Sequence, residues 1–204
     1  MLYLYCMLAV IKLYISIFII FGICFSNNGF SQASAGFKAG GGLFNINSAL
    51  KSEALPSWEA GFFSVADISE HVILQPEIDY SDKGGKVTFE DTVCKVHLQS
   101  ANVRIIVSYL FNDRFSLGAG PYFSYMFKAS QSKVIVPKSW YSPFGVGFNA
   151  AASVNAGLWI FSVRYDQSLT LLTRDGDVEI SKSVNPLKSS HVSGFSFVVC
   201  VGFD

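Results

Sequence analysis

Val72-Ile-Leu-Gln-Pro-Glu-Ile-Asp-Tyr-Ser81 is the stretch on which the fold turns. Leu74, Pro76, Ile78 and Tyr80 share one face, and Gln75, Glu77, Asp79 and Ser81 share the other. A helix would scatter these polar groups around its axis, whereas a strand, with its period of two, separates them cleanly. The same repeat returns along the chain. Ala101, Val103, Ile105, Val107 and Tyr109 oppose Asn102, Arg104 and Ser108, and the alternating run from Phe115 to Phe127 opposes Ser116, Gly118, Gly120 and Ser124. Phe144, Val146 and Phe148 oppose Gly145, Gly147 and Asn149. Trp159, Phe161, Val163 and Tyr165 oppose Ser162, Arg164 and Asp166. A last run sets Phe195, Phe197, Val199, Val201 and Phe203 against Gly194, Ser196, Cys200 and Gly202. With less regular segments near 37–44 and 58–68, the total is eight strands.

The connections alternate in length. Short breaks fall at Ser69-Glu70-His71, Asn112-Asp113-Arg114 and Asn155-Ala156-Gly157, and longer polar stretches at about 46–56, 82–95, 129–142 and 173–190. This pattern predicts an all-β chain, an eight-stranded antiparallel up-and-down transmembrane barrel with tight periplasmic turns and long outer loops. Composition agrees. Of 204 residues, 50% are hydrophobic and only 15% charged, with 19 Phe, 9 Tyr and 17 Gly. Fifteen basic and fifteen acidic residues cancel, which leaves no electrostatic footprint for nucleic acid.

Which face looks inward separates a membrane barrel from a soluble one. Eight strands enclose a space just wide enough for side chains. The aromatic face carries too many rings for that space, while the Gly-, Ser- and Asn-rich face packs into it readily. The rings must therefore meet lipid. Trp58, Tyr80, Tyr109, Tyr125, Trp159 and Tyr165 suit interfacial girdles.

Residues 1–35 read as a cleaved export signal, with Lys12 the only charge before a long apolar run and Ala33-Ser34-Ala35 a peptidase site, so that cleavage near 31–35 leaves a barrel domain at 36–204. Translation starting at Met7 would bring Lys12 nearer the front. Loss of Lys12 leaves fourteen basic and fifteen acidic residues, a net of −1. Of the four cysteines Cys94 and Cys200 remain, at opposite ends of the expected barrel and therefore not expected to pair.

Gly36-Phe-Lys-Ala-Gly-Gly-Gly-Leu43, Leu74-Gln-Pro-Glu-Ile-Asp-Tyr-Ser-Asp-Lys-Gly84 and Tyr109-Leu-Phe-Asn-Asp-Arg-Phe-Ser-Leu-Gly-Ala-Gly-Pro-Tyr122 resemble the outer-membrane β-barrel family of Bacteroidota often called PorT-like. Val163-Arg-Tyr-Asp-Gln-Ser-Leu169 and the closing Val201-Gly-Phe203 match the same pattern. The resemblance implies an eight-stranded barrel in the outer membrane, with a link to secretion through the member that names the family. The chain departs from the pattern at Asn102-Val103-Arg104 and in ending on Asp204.

Six charged residues fall on inward faces: Glu59, Glu77, Asp79, Arg104, Arg164 and Asp166. Charges in a narrow lumen are costly unless paired, so they are expected to plug it, with Arg104 meeting Glu77 or Asp79. The loops are expected to carry specificity. The second holds Lys83, Lys86, Glu90, Asp91, Cys94 and Lys95, and the third holds Trp140-Tyr141, either a contact for a partner or an interfacial anchor. His71, His97 and His191 lack metal-ligand spacing, no G-x-S-x-G elbow exists, and Gly145-Val-Gly-Phe-Asn-Ala150 lies within a strand rather than before a helix. The expectation is a monomeric, non-enzymatic barrel without cofactor or metal, in contact with outer-membrane lipid and an envelope or secretion-system protein. The alternatives are a narrow channel for small solutes and an outer-membrane enzyme acting on lipid or protein.

Overall fold

A computed structural model of the chain describes residues 34–48, 50–89, 92–132, 141–173, 187 and 190–203. Eight strands follow one another: β1 (Ser34–Asn47), β2 (Ser52–Ser69), β3 (Val72–Phe89), β4 (Thr92–Leu110), β5 (Phe115–Gln131), β6 (Phe144–Ala156), β7 (Trp159–Ser168) and β8 (His191–Phe203). Each pairs antiparallel with the next, and β8 closes on β1 from Ala35↔Phe203 to Asn47↔His191. The ring has no free edge, the condition under which strands can cross lipid.

The expected export segment lies outside the described residues, apart from Ser34 and Ala35, which begin β1 just ahead of the boundary expected at 36. The irregular alternation near 58–68 has a local cause, because the β2–β3 register shifts between Ala54 and Trp58 and again between Asp67 and Ser69. At one end of the barrel the turns are tight. Asn112 Oδ1 accepts from the backbone N–H groups of Arg114 and Phe115 at 2.9 and 2.8 Å. Gly157 takes φ 66° in the β6–β7 turn, which therefore sits at Gly157-Leu158, slightly beyond the break expected at Asn155-Ala156-Gly157.

At the other end the strands outrun expectation. β3 reaches Phe89, β4 begins at Thr92 and β5 continues to Gln131, so much of the expected second loop and the start of the third are strand. A tilted strand needs about 9–11 residues to cross the hydrocarbon. At 18 and 19 residues, β3 and β4 stand well clear of it. There the polarity of the two faces inverts. Val87, Cys94, Val96 and Leu98 turn inward and are buried, while Lys86, Lys95 and His97 face water.

Within the membrane span the rings point out. Two aromatic belts girdle the barrel. Trp58–Tyr80, Tyr80–Phe127 and Tyr125–Phe144 lie on the outer side with ring centroids 5.0, 5.6 and 5.2 Å apart. Phe37–Phe62, Phe37–Phe203 and Tyr109–Phe111 lie on the periplasmic side, at 4.8, 5.0 and 5.3 Å. Between the belts the outward side chains are aliphatic or aromatic, including Ile78, Val103 and Phe123. A Val103→Arg substitution would put a cation against mid-membrane hydrocarbon and is expected to destabilise the barrel by about 2–4 kcal/mol. Urea unfolding in lipid vesicles measures it.

Candidate functional site

The lumen is stratified. On the periplasmic side Phe63, Val198 and Cys200 form a buried apolar layer backed by Val65 and Ile160. On the outer side Ile46, Val87, Cys94, Val96, Leu98, Tyr141, Leu172 and Leu187 form a second, thicker one. Between them sits a belt of charge contributed by five strands.

All six inward charges expected from sequence are buried in this belt, Arg104 to 0% and Arg164 to 2% exposure. Arg164 grips Glu77 with both terminal nitrogens, Nη1 donating to Oε2 at 2.7 Å and Nη2 to Oε1 at 2.8 Å. This bidentate geometry is the strongest available to the pair. Arg104 donates through Nη1 to Asp79 and through Nη2 to Glu59 and Asp166 at 2.9 and 3.1 Å. Glu77 is the backbone neighbour of Arg104 across the β3–β4 ladder, yet Arg104 reaches diagonally to Asp79 while Glu77 turns to Arg164.

Two further members complete the belt. Lys38 on β1 lies 3.5, 2.6 and 3.1 Å from Glu59, Glu77 and Asp79. Lys83 on β3 donates to Asp166, with its ammonium 4.4 Å from the Phe44 ring centroid. Four cations (Lys38, Lys83, Arg104 and Arg164) therefore face four carboxylates (Glu59, Glu77, Asp79 and Asp166), and the formal charge sums to zero. Three amides add further donors. Asn102 Nδ2 donates to Asp79 at 2.7 Å, Asn149 Nδ2 to Asp166 at 2.5 Å and Gln75 Nε2 to Glu77 at 2.7 Å. Asn102 and Arg104, two apart on β4, thus both serve the belt.

Lys83 had been expected in the second loop. It is instead a lumen residue, because β3 continues past it and odd-numbered positions there face inward. Lys38 has no clear alternation around it, because Gly40, Gly41 and Gly42 follow it on β1. A signal for both existed: the six expected charges sum to −2, a deficit that a sealed lumen cannot carry, so two more cations were required.

Of the third-loop aromatics, Tyr141 departs from expectation. Trp140 lies outside the described residues. Tyr141 is neither an exposed contact nor an interfacial anchor, because it is 5% exposed and packs in the outer apolar layer, bridged to Thr173. Burial there pushes its phenol pKa up. Cys94 lies in the outer layer and Cys200 in the periplasmic one, and they are not bonded to each other. The histidines are dispersed. His71 stacks on Tyr109 in a periplasmic turn, His97 Nδ1 lies 3.1 Å from Asp82 Oδ1 on the outer wall, and His191 opens β8.

The model of the outer membrane protein beta-barrel domain matches residues 26–174. The chain belongs to this family. As an outer membrane protein beta-barrel it is similar to several solved structures. Neisserial surface protein A is 16% identical, with a TM-score of 0.56 over 85% of this chain and 100% of that one. Ail of Yersinia pestis, solved with the heparin analogue sucrose octasulfate, is 11% identical with a TM-score of 0.49, covering 85% of this chain and 100% of its own. OprG from Pseudomonas aeruginosa is 9% identical with a TM-score of 0.46, covering 84% and 94%. No curated protein sequence matches the chain. The likeness to Neisserial surface protein A speaks to the fold, and the family places the barrel in the outer membrane.

Proposed function

We propose that this outer-membrane barrel is a sealed, non-enzymatic interaction protein, exported by a cleaved signal and monomeric in lipid, whose tall outer wall docks an envelope or secretion-system protein. One observation carries the reading: among the described residues, eight buried charges of zero net sum pair with one another across the lumen between two apolar layers, which supports a closed interior rather than an open path. What remains free to act is the rim. The walls of β3, β4 and β5 rise above the aromatic belt and present Lys86, Lys95, Lys128 and the Asp82–His97 pair to water. Paired strands hold these groups in fixed positions, which lowers the ordering cost of binding a partner. The resemblance to the PorT-like barrels of Bacteroidota supports a secretion-associated partner.

A photo-cross-linking amino acid placed at Lys95 or Lys128 tests this in intact envelopes. The expected result is a discrete protein adduct from those positions and none from Asp113 in the periplasmic turn. Equal labelling from both ends would contradict it.

A further inference from the structure

Between the charge belt and the outer apolar layer lies a cavity of about 70 Å³ that neither the plug nor the rim explains. Its floor is polar: Lys83, Asn102, Ser100, Ser124 and the Tyr122 ring. Its walls and roof are apolar, with Leu98, Met126, Leu172 and Val192. Its lining also includes Phe144, at the outer start of β6, and Leu171, three residues beyond β7, which are 65% and 44% exposed. Phe144 packs on Tyr125, so this side of the cavity lies level with the outer aromatic belt.

We infer that this cavity is a binding site for an uncharged medium-chain amphiphile, with its hydroxyl or carbonyl seated at Lys83 and Ser124 and its alkyl chain leaving past Phe144 and Leu171 into the outer leaflet. Each part of the ligand is set by a feature of the site. A volume of this size accommodates roughly five to seven non-hydrogen atoms, taking about 10–15 Å³ for each water-sized unit. A short buried portion with an emerging tail therefore fits, and a bulky headgroup does not. An ammonium carries three donors, and Lys83 directs one at Asp166 and another at the Phe44 ring, leaving one for an oxygen acceptor in the cavity. The absence of a net charge in the belt argues for a neutral head: a carboxylate would bring a fifth anion to four balanced pairs, in a space capped by Leu98 and Leu172. The inference is independent of what docks on the rim.

Gly145 makes the site testable without disturbing the barrel. A Cβ there would meet Thr170 Oγ1 at 3.3 Å and the Ser124 side chain at 3.6 Å, so a larger residue grows into the cavity rather than into backbone. The experiment uses the full chain in lipid nanodiscs, photolabelled with a diazirine derivative of 1-hexanol and mapped by mass spectrometry. Expected are adducts on Leu98, Met126 or Leu172, displaced by plain 1-hexanol and at least tenfold less well by hexanoate. Gly145→Leu and, independently, Ser124→Leu should each cut these adducts tenfold or more while retaining the heat-resistant gel mobility of a folded barrel. Three results would overturn the assignment: adducts unchanged in the folded variants, label confined to the lipid-facing belts, or hexanoate competing as well as hexanol.

Discussion

Replacing Arg164 by Met is expected to destabilise the barrel by about 3–5 kcal/mol, the cost of leaving a buried carboxylate without its partner. The geometry makes this site severe. Arg164 supplies two of the donors on Glu77, and both side chains are almost wholly buried, so water cannot take over its role. The double variant Arg164→Met with Glu77→Leu should be more stable than the single one by about 2 kcal/mol or more, because it removes a matched pair and leaves three cations facing three carboxylates. Lys38 still has Asp79 at 3.1 Å and Glu59 at 3.5 Å when Glu77 is gone. Equilibrium unfolding in urea, read by tryptophan fluorescence in vesicles, measures both. If the two losses simply add, the belt is a collection of hydrated surface-like charges rather than a coupled plug.

The second large effect is expected at Gly120. The β4–β5 register runs from Arg104↔Tyr122 to Val107↔Ala119, and between them Pro121 has no N–H to offer the ladder. The β4 backbone presses against Gly120, where a Cβ would meet the Ile105 carbonyl oxygen at 1.7 Å and Ile106 Cα at 3.0 Å. Backbone atoms in a closed ring cannot swing aside as a side chain can. Gly120→Ala should therefore cost about 3 kcal/mol or more, at the upper end of overpacking penalties, and should shift much of the protein to the unfolded band on unheated gels. Gly41→Ala is the control. The nearest atom to a Cβ there is Ser57 O at 3.4 Å, and its effect should stay within about 0.5 kcal/mol.

The membrane-spanning parts of the strands were legible because lipid outside and packed polar groups inside impose opposite chemistry on alternate residues. β4 shows it plainly, with Val103 and Ile105 outward and Asn102 and Arg104 inward. That rule fails once a strand leaves the bilayer. Around Val87, Val96 and Leu98 the apolar residues seal the mouth and the polar ones meet water, so the alternation continues with its sign reversed and reads as a polar loop. Lys83 sits at this crossover, where local pattern reads as loop, and the inward turn of Tyr141 depends on packing with β4 and the residues before β8. Local pattern located the six strand-borne charges. It did not pair them, because pairing depends on diagonals across the lumen such as Arg104 to Glu59 on β2 and Arg164 to Glu77 on β3, which no stretch of sequence contains.

The central claim is that a neutral belt of eight charges between two apolar layers closes the barrel. Conductance of the refolded full chain in planar lipid bilayers tests it most directly. The account predicts that confirmed insertions stay electrically silent in molar salt. A steady, ohmic current through the unmodified protein would contradict it.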